Sequence, residues 1–332
     1  MKKEIIKRII VLIIAVAVSA YIWHVNRNIF HNIFRRALIL SITTFIIVYI
    51  PFELYFSIKT IWYNRWSKIE LDKIHVEKIH ISIEQNKKHG YLVANILRSK
   101  GEEKQRNKNT LILISHGYSD VKESLQYLYY PLVLQGYVVL SYDARGSGES
   151  EKLGNKNEFL ARLEDYQKII KWVKNHNEYQ NLNIYTIGFS IGALIAVCAA
   201  FNDERIKKII AISLISKYRE NVLHQNPIVL LSYFFKGIKL FPSQEENERL
   251  SPYLIFKKHK QNSSNESWKD VAHKMYLVHS KNDNVIKYKN FQENQSILKL
   301  PSQNLLIFEK GGHTLKKNEV ALVGGILEFL KR

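Results

Sequence analysis

Gly188-Phe189-Ser190-Ile191-Gly192 places a serine two residues from a glycine on each side. An apolar run precedes it and small apolar residues follow, through Phe201. G-x-S-x-G between a strand and a helix suits a nucleophile held on a sharp turn. Small neighbours let the backbone fold tightly, and a helix N-terminus beneath the serine favours negative charge. A serine hydroxyl is a poor nucleophile without a base. His313, in "KGGHTL", is the candidate base, because two glycines leave it on an open loop after the last apolar run. Asp283, in "VHSKNDNVI", is the candidate partner that would hold the imidazole in its useful tautomer and stabilise the imidazolium. Its competing role is that of a turn former beside Asn282 and Asn284.

Acyl chemistry at Ser190 would also need two backbone N–H donors for a tetrahedral oxyanion. Ile191, directly after the serine, supplies one, and Tyr118, in "ISHGYSD", is the candidate for the other. His116 then reads as an organiser of that loop. Asp143, Arg145, Gly146 and Gly148, in "YDARGSGES", read as loop-shaping residues.

The elements that must position these residues follow from apolar patterning. The segments 78–84 and 90–99 alternate as a hairpin. Continuous apolar strands are expected at 110–117, 137–143, 183–189, 207–216, 273–280 and 303–310. Helices are expected at 124–135, 158–176, 191–201, 288–296 and 319–332, with the polar stretch 102–109 as a connection. Alternating strands and helices imply a mainly parallel sheet covered on both faces, with its sites at the carboxyl ends of the strands. Residues 217–272 lack sheet texture and contain the apolar, aromatic stretch 226–241. That stretch is either a cap over the site or an ordinary packing helix.

Residues 1–73 differ in kind. Two apolar runs predict transmembrane helices over about 5–23 and 37–57, somewhat short unless Lys7, Arg8 and Glu53 reach the interfaces. Tyr21, Trp23, Tyr49, Tyr55, Trp62 and Trp66 suit interfacial belts. Eight Lys/Arg on the outer flanks against three between the runs favour a cytoplasmic main domain in the cell membrane. Two alternatives stay open. "AVSA" at 17–20 resembles a signal-peptidase site, which would put the domain outside. The basic connecting segment 24–36 could itself be an amphipathic helix.

The net charge of +19, in 332 residues, admits nucleic acid as a partner. No zinc finger, aromatic RNA-binding signature or dense basic block accompanies it, so no nucleic-acid partner is expected and anionic membrane lipid explains the charge better. The single cysteine, Cys198, excludes an intrachain disulfide and a cysteine-rich metal site.

Residues 80–332 resemble an α/β-hydrolase of the serine aminopeptidase S33/monoacylglycerol-lipase-like group. "SHGY", "YDARGSGES", "GFSIGA", "LSPY", "VHSKNDNVI" and "KGGH" occur in that group's order and spacing. Ser190, Asp283, His313 is also the chain order of an α/β-hydrolase triad. The resemblance implies an α/β-hydrolase fold with a small cap, here preceded by a helical membrane hairpin. It implies a serine hydrolase for esters, lipids, amides or short peptides, with no metal or organic cofactor. Ser280, Lys287 and Ala193 depart from the group's usual residues and loosen any transfer of substrate class. The expected activity is cleavage of a small-molecule or lipid acyl ester. An acyltransferase or peptidase with the same triad, or a non-catalytic binding protein, are the alternatives.

Overall fold

The computed structural model describes residues 2–29, 34–63, 73–85, 88–100, 107, 109–223, 225 and 227–332. Residues 30–33, Trp66 and most of the 102–109 connection lie outside the described residues. The chain divides into two compact units, Met1–Lys68 and Ile69–Arg332.

The first unit is a pair of helices, α1 (Lys2–Ile29) and α2 (Phe34–Tyr63). Each contains a stretch long and apolar enough to cross a membrane, Ile6–Arg27 and Arg36–Phe56. The two pack antiparallel: Ser41 Oγ donates to Ser19 O at 2.7 Å, and Arg8 pairs with Glu53 at 3.5 Å. Ala15, Ser19 and Ala37 are buried, and most of the large apolar side chains face outward. Small residues at the contact and large ones outside are the arrangement expected of helices packed in lipid. Both helices are longer than the apolar runs, and they absorb the described ends of the basic 24–36 segment.

The second unit is built on an eight-stranded sheet in the order β1-β2-β4-β3-β5-β6-β7-β8. The hairpin β1 (Ile74–Gln85) and β2 (Lys88–Ser99) forms one edge, antiparallel to its neighbours. The other strands run parallel: β3 (Thr110–Ser115), β4 (Val138–Tyr142), β5 (Asn183–Phe189), β6 (Ile206–Ile212), β7 (Met275–Ser280) and β8 (Leu305–Phe308). Their Val/Ile/Leu content suits strands buried on both faces. In β3, Leu111 and Leu113 join one core while Ile112 and Ile114 join the other. The first core packs α4 (Phe159–Asn175) and α5 (Ile191–Ala200); the second packs α3 (Gln126–Leu134) and α12 (Glu319–Lys331). Ala193, Ala196, Ala199 and Ala200 let α5 lie close to the sheet.

Two strands are shorter than their apolar runs suggest. β6 stops at Ile212 because Ser213 turns the chain with φ 53°. β8 begins after a 3₁₀ turn at Ser302–Asn304 that follows Pro301. Between β6 and β7 the described residues form five helices: α6 (Tyr218–Leu223), α7 (Pro227–Phe235), α8 (Gln244–Arg249), α9 (Pro252–Gln261) and α10 (Asn265–His273). A further helix, α11 (Lys289–Leu298), links β7 to β8.

The loop after β4 is held by a buried ion pair. Arg145 donates to both carboxylate oxygens of Asp165 in α4, each at 2.8 Å, and to Glu158 at 2.9 Å. Removing one partner of such a pair leaves an uncompensated buried charge. Asp165→Ala is therefore expected to destabilise the fold by about 3 kcal/mol, the low end of the usual range because Glu158 remains. Urea unfolding of the two proteins measures this.

Candidate active site

Ser190 sits between β5 and α5 at φ 56°, ψ −123°. A non-glycine residue there is strained, and its neighbours hold it. Its amide donates to Ile212 O at 2.9 Å. The flanking glycines have no room for a side chain. A Cβ on Gly188 would lie 2.5 Å from Ala193 Cα, and one on Gly192 would lie 2.1 Å from Ser115 O. The turn thus needs hydrogen at both places, so that α5 can approach β5 and the loop after β3.

The hydroxyl of Ser190 donates to His313 Nε2 at 2.9 Å, and His313 Nδ1–H donates to Asp283 Oδ2 at 2.8 Å. Three residues up to 123 positions apart thereby form one hydrogen-bonded line. The other carboxylate oxygen of Asp283 accepts from the amides of Val285 and Ile286, at 2.8 and 2.9 Å. Burial pushes this carboxyl up, but the bond to His313 and the two amides outweigh it and hold it below the usual range. Phe189 packs against the His313 ring, with centroids 5.1 Å apart. Ser190 is 6% exposed, the Asp283 side chain is fully buried and that of His313 is 16% exposed. A hydroxyl, an imidazole and a carboxylate in this order can pass a proton from oxygen to nitrogen while keeping the imidazolium stabilised.

Asn282 and Ser280 support the histidine loop in a way the sequence did not signal. Asn282 Oδ1 accepts from Gly312 N at 2.8 Å and from Ser280 Oγ at 2.7 Å. The serine found where a glycine is usual therefore helps orient the residue that holds the loop. His279 is also buried beside Asp283, its Nε2–H donating to Ile286 O at 2.8 Å. Burial lowers its pKa and favours the neutral ring.

The loop after β3 approaches the residues on either side of Ser190. Gly117 packs against Phe189, and the carbonyls of Ser115 and His116 close on Gly192. His116 Nε2 accepts from Ala144 N at 3.0 Å, so Nδ1–H donates to Gly117 O at 2.7 Å. Burial, aided by Arg162, brings its pKa down to about 4 and keeps it neutral. His116 organises the loop, as its place in the sequence suggested. Ile191, as the first residue of α5, has an amide with no carbonyl one turn earlier in the helix to receive it. Tyr118 lies in the turn beyond Gly117, and its hydroxyl donates to Asn157 Oδ1.

Asp143 belongs to a different network. It is fully buried and accepts from the Lys122 amide, the Lys122 ammonium and the Glu149 amide at 2.7–2.9 Å. Burial lowers the Lys122 pKa, but bonds to Asp143 and Glu149 outweigh it and raise the value overall. Gly148 is required there, since a Cβ would fall 2.4 Å from the Asp143 carboxyl.

Among the described residues no cluster of three His, Cys, Asp or Glu side chains is arranged to hold a metal. A cavity of about 1010 Å³ runs along the start of α4, past Asn157, Phe159, Tyr218 and Gly237; Ser190 and His313 do not line it.

Residues 106–273, about half of the chain, match the family described as serine aminopeptidase, S33. An uncharacterized 31.7 kDa protein from the traX-finO intergenic region of Escherichia coli is 27% identical over 105 residues. The match covers 31% of this chain and 37% of that protein. Among solved structures, an esterase of Pyrococcus furiosus has a TM-score of 0.55 at 19% identity, covering 80% of this chain and 95% of its own. The acylaminoacyl peptidase of Pyrococcus horikoshii has a TM-score of 0.55 at 16% identity, covering 77% of this chain and 41% of its own. At such identities these structures share the fold.

Gly192→Ala is expected to cost about 1–3 kcal/mol, because the new methyl would overlap the Ser115 carbonyl. Thermal unfolding checks this; an unchanged Tm would mean that the loop after β3 yields freely.

Proposed function

The chain belongs to the serine aminopeptidase S33 family of α/β-hydrolases, and from that premise we propose a serine hydrolase that cleaves a carboxylic ester of acyl or lipid-like kind. Ser190, His313 and Asp283 carry the reaction. The observation behind this reading is the unbroken line from Ser190 Oγ through His313 to Asp283.

Ser190 Oγ attacks the ester carbonyl while His313 Nε2 takes its proton. The tetrahedral oxyanion is met by the amides of Ile191 and Tyr118, with the α5 N-terminus beneath it. Collapse expels the alcohol, which takes the proton from His313. Water, deprotonated by His313, then attacks the acyl-enzyme; Ser190 leaves with the returned proton and the acid is released. Asp283 keeps Nδ1 protonated throughout, so that Nε2 is free to accept.

The surface of α7 and its flank supports an acyl or lipid substrate. Leu231, Phe234, Phe235 and Phe241 are each more than half exposed, and such apolar patches mark binding surfaces. The family's description as aminopeptidases favours a second reading, cleavage of an amide by the same groups. Transfer of the acyl group to an alcohol or amine would also use them.

Purified protein is expected to react with a fluorophosphonate probe at Ser190 and to hydrolyse short p-nitrophenyl esters. Asp283→Asn should lower kcat by roughly 10⁴ by favouring the wrong tautomer of His313. Probe labelling that survives Ser190→Ala would refute the assignment. A panel of ester, amide and lipid substrates separates the readings.

We also propose that α1 and α2 anchor the chain in the cell membrane, with the second unit in the cytoplasm. Spans of 22 and 21 residues, with 18-residue windows of mean hydropathy 2.2 and 2.0, support the crossing, and the lysine and arginine bias supports the orientation. The chain should stay in the membrane pellet after alkaline washing. Protease added to intact cells should leave the second unit whole, whereas digestion would favour the cleaved-leader alternative.

A further inference from the structure

Three cations gather around Tyr118, and the carboxylate of the same loop, buried Asp120, acts on one of them, Arg162. Lys156 Nζ lies 4.9 Å from the centre of the Tyr118 ring and Lys236 Nζ lies 6.0 Å from it. Arg162, 1% exposed, has one contact with the loop, Nη2 to His116 O at 3.4 Å. Its Nε and Nη1 have no hydrogen-bond partner. On its own helix, Asp165 is taken by Arg145 and Glu164 by Arg249. Among the described residues neither Lys156 nor Lys236 forms an ion pair, while Lys122 and Arg145, in neighbouring loops, are each paired twice or more.

These cations come from three separate elements that are fastened together. Asn157 accepts from the Tyr118 hydroxyl and donates to Lys236 O at the end of α7. The bracket joins the loop before α4, the loop after β3 and the end of α7. Burial, then Lys236 and Arg162, lowers the pKa of Lys156, so the charges act on one another. Ring faces attract cations, but an aromatic quadrupole does not neutralise a net charge. Asp120 sets a negative charge against Arg162, whereas the two lysines form no ion pair among the described residues and are relieved by an anion placed between them.

The position gives that anion a use. Tyr118 follows Gly117, which packs against Phe189, the residue before Ser190. Its amide is the oxyanion donor assigned above. A group held at the Tyr118 ring therefore sits on the same residue whose amide would meet the oxyanion. We propose that the substrate of this chain carries an anionic group, carboxylate or phosphate, and that Lys156 and Lys236 hold it beside Tyr118, with Arg162 as the buried charge behind them. This rests on the serine-hydrolase reading and narrows its substrate class to anionic acyl esters.

The test uses the full chain in detergent and esters in matched sets. Each set carries a terminal carboxylate, phosphate or neutral carboxamide, on the acyl side in one series and on the alcohol side in the other. Wild type is expected to favour an anionic member in at least one series by kcat/KM. Lys156→Gln with Lys236→Gln should cut that preference about tenfold, through KM, and added salt should weaken it in wild type. Equal kcat/KM for anionic and neutral members, or a preference untouched by the double substitution, would overturn the proposal. The carboxylate and phosphate arms distinguish the two chemistries.

Binding provides a readout independent of turnover. Calorimetry of glutarate and of inorganic phosphate on the Ser190→Ala protein should detect at least one, and the two lysine substitutions should abolish it. Binding of neither would overturn the anionic site even where the probe labels Ser190. Lysine-dependent binding in a protein that neither labels nor turns over any ester would instead sink the hydrolase reading and leave the anion site standing.

Discussion

The backbone of Ser190 is the constraint on which the site depends. Its φ of 56° costs on the order of 1–3 kcal/mol and persists only because the surroundings over-determine it. β6 receives its amide, α5 starts directly beneath it, and Gly188 and Gly192 leave no space for anything larger than hydrogen. The strain has a geometric return. It aims the hydroxyl at His313, and leaves the Ile191 amide at the start of a helix with no carbonyl one turn earlier to receive it. An ordinary turn at this place would satisfy the backbone and bury or misdirect the side chain.

Around this turn, buried charges fix the loops that a hydrophobic core alone would leave loose. Asp143 is held by Lys122 and the Glu149 amide, Arg145 by Asp165 and Glu158, and Asp283 by His313 and two amides. Each pairing ties a loop at the carboxyl end of the sheet to a neighbour. Buried ions are weak sources of net stability but strong enforcers of geometry, because breaking one leaves a charge without water. Among the described residues, Lys156 and Lys236 around Tyr118 are the exception. They lie where the loop after β3 meets the α7 segment, at the place where a ligand would complete the network.

Much of the fold was legible in the chain. Continuous Val/Ile/Leu runs predicted β3, β4, β5 and β7 to within about two residues, since a strand buried on both faces leaves no other composition. The amphipathic period of α4 and the small residues of α5 were equally plain. Less legible were the ends set by single backbone angles, such as Ser213 closing β6, and the internal order of the five helices between β6 and β7. Those helices bury fewer apolar residues and take their places from contacts with α4 and α11, so the local pattern carries little of their arrangement.

By itself the sequence determined the residue types: a serine between two glycines, an aspartate and a histidine each just past an apolar run, and a parallel sheet to present them. Local spacing could do this because strand and helix periods and steric limits at glycine act within a few residues. Only the tertiary structure decided that the three side chains lie 2.8–2.9 Å apart in line, that Asn282 and Ser280 orient the histidine loop, and that Asn157 draws Lys236 to Tyr118. Those contacts join residues from about 30 to 123 positions apart, apart from the Ser280–Asn282 bond. Directional bonds between such distant groups exist only after the cores on both faces of the sheet have packed.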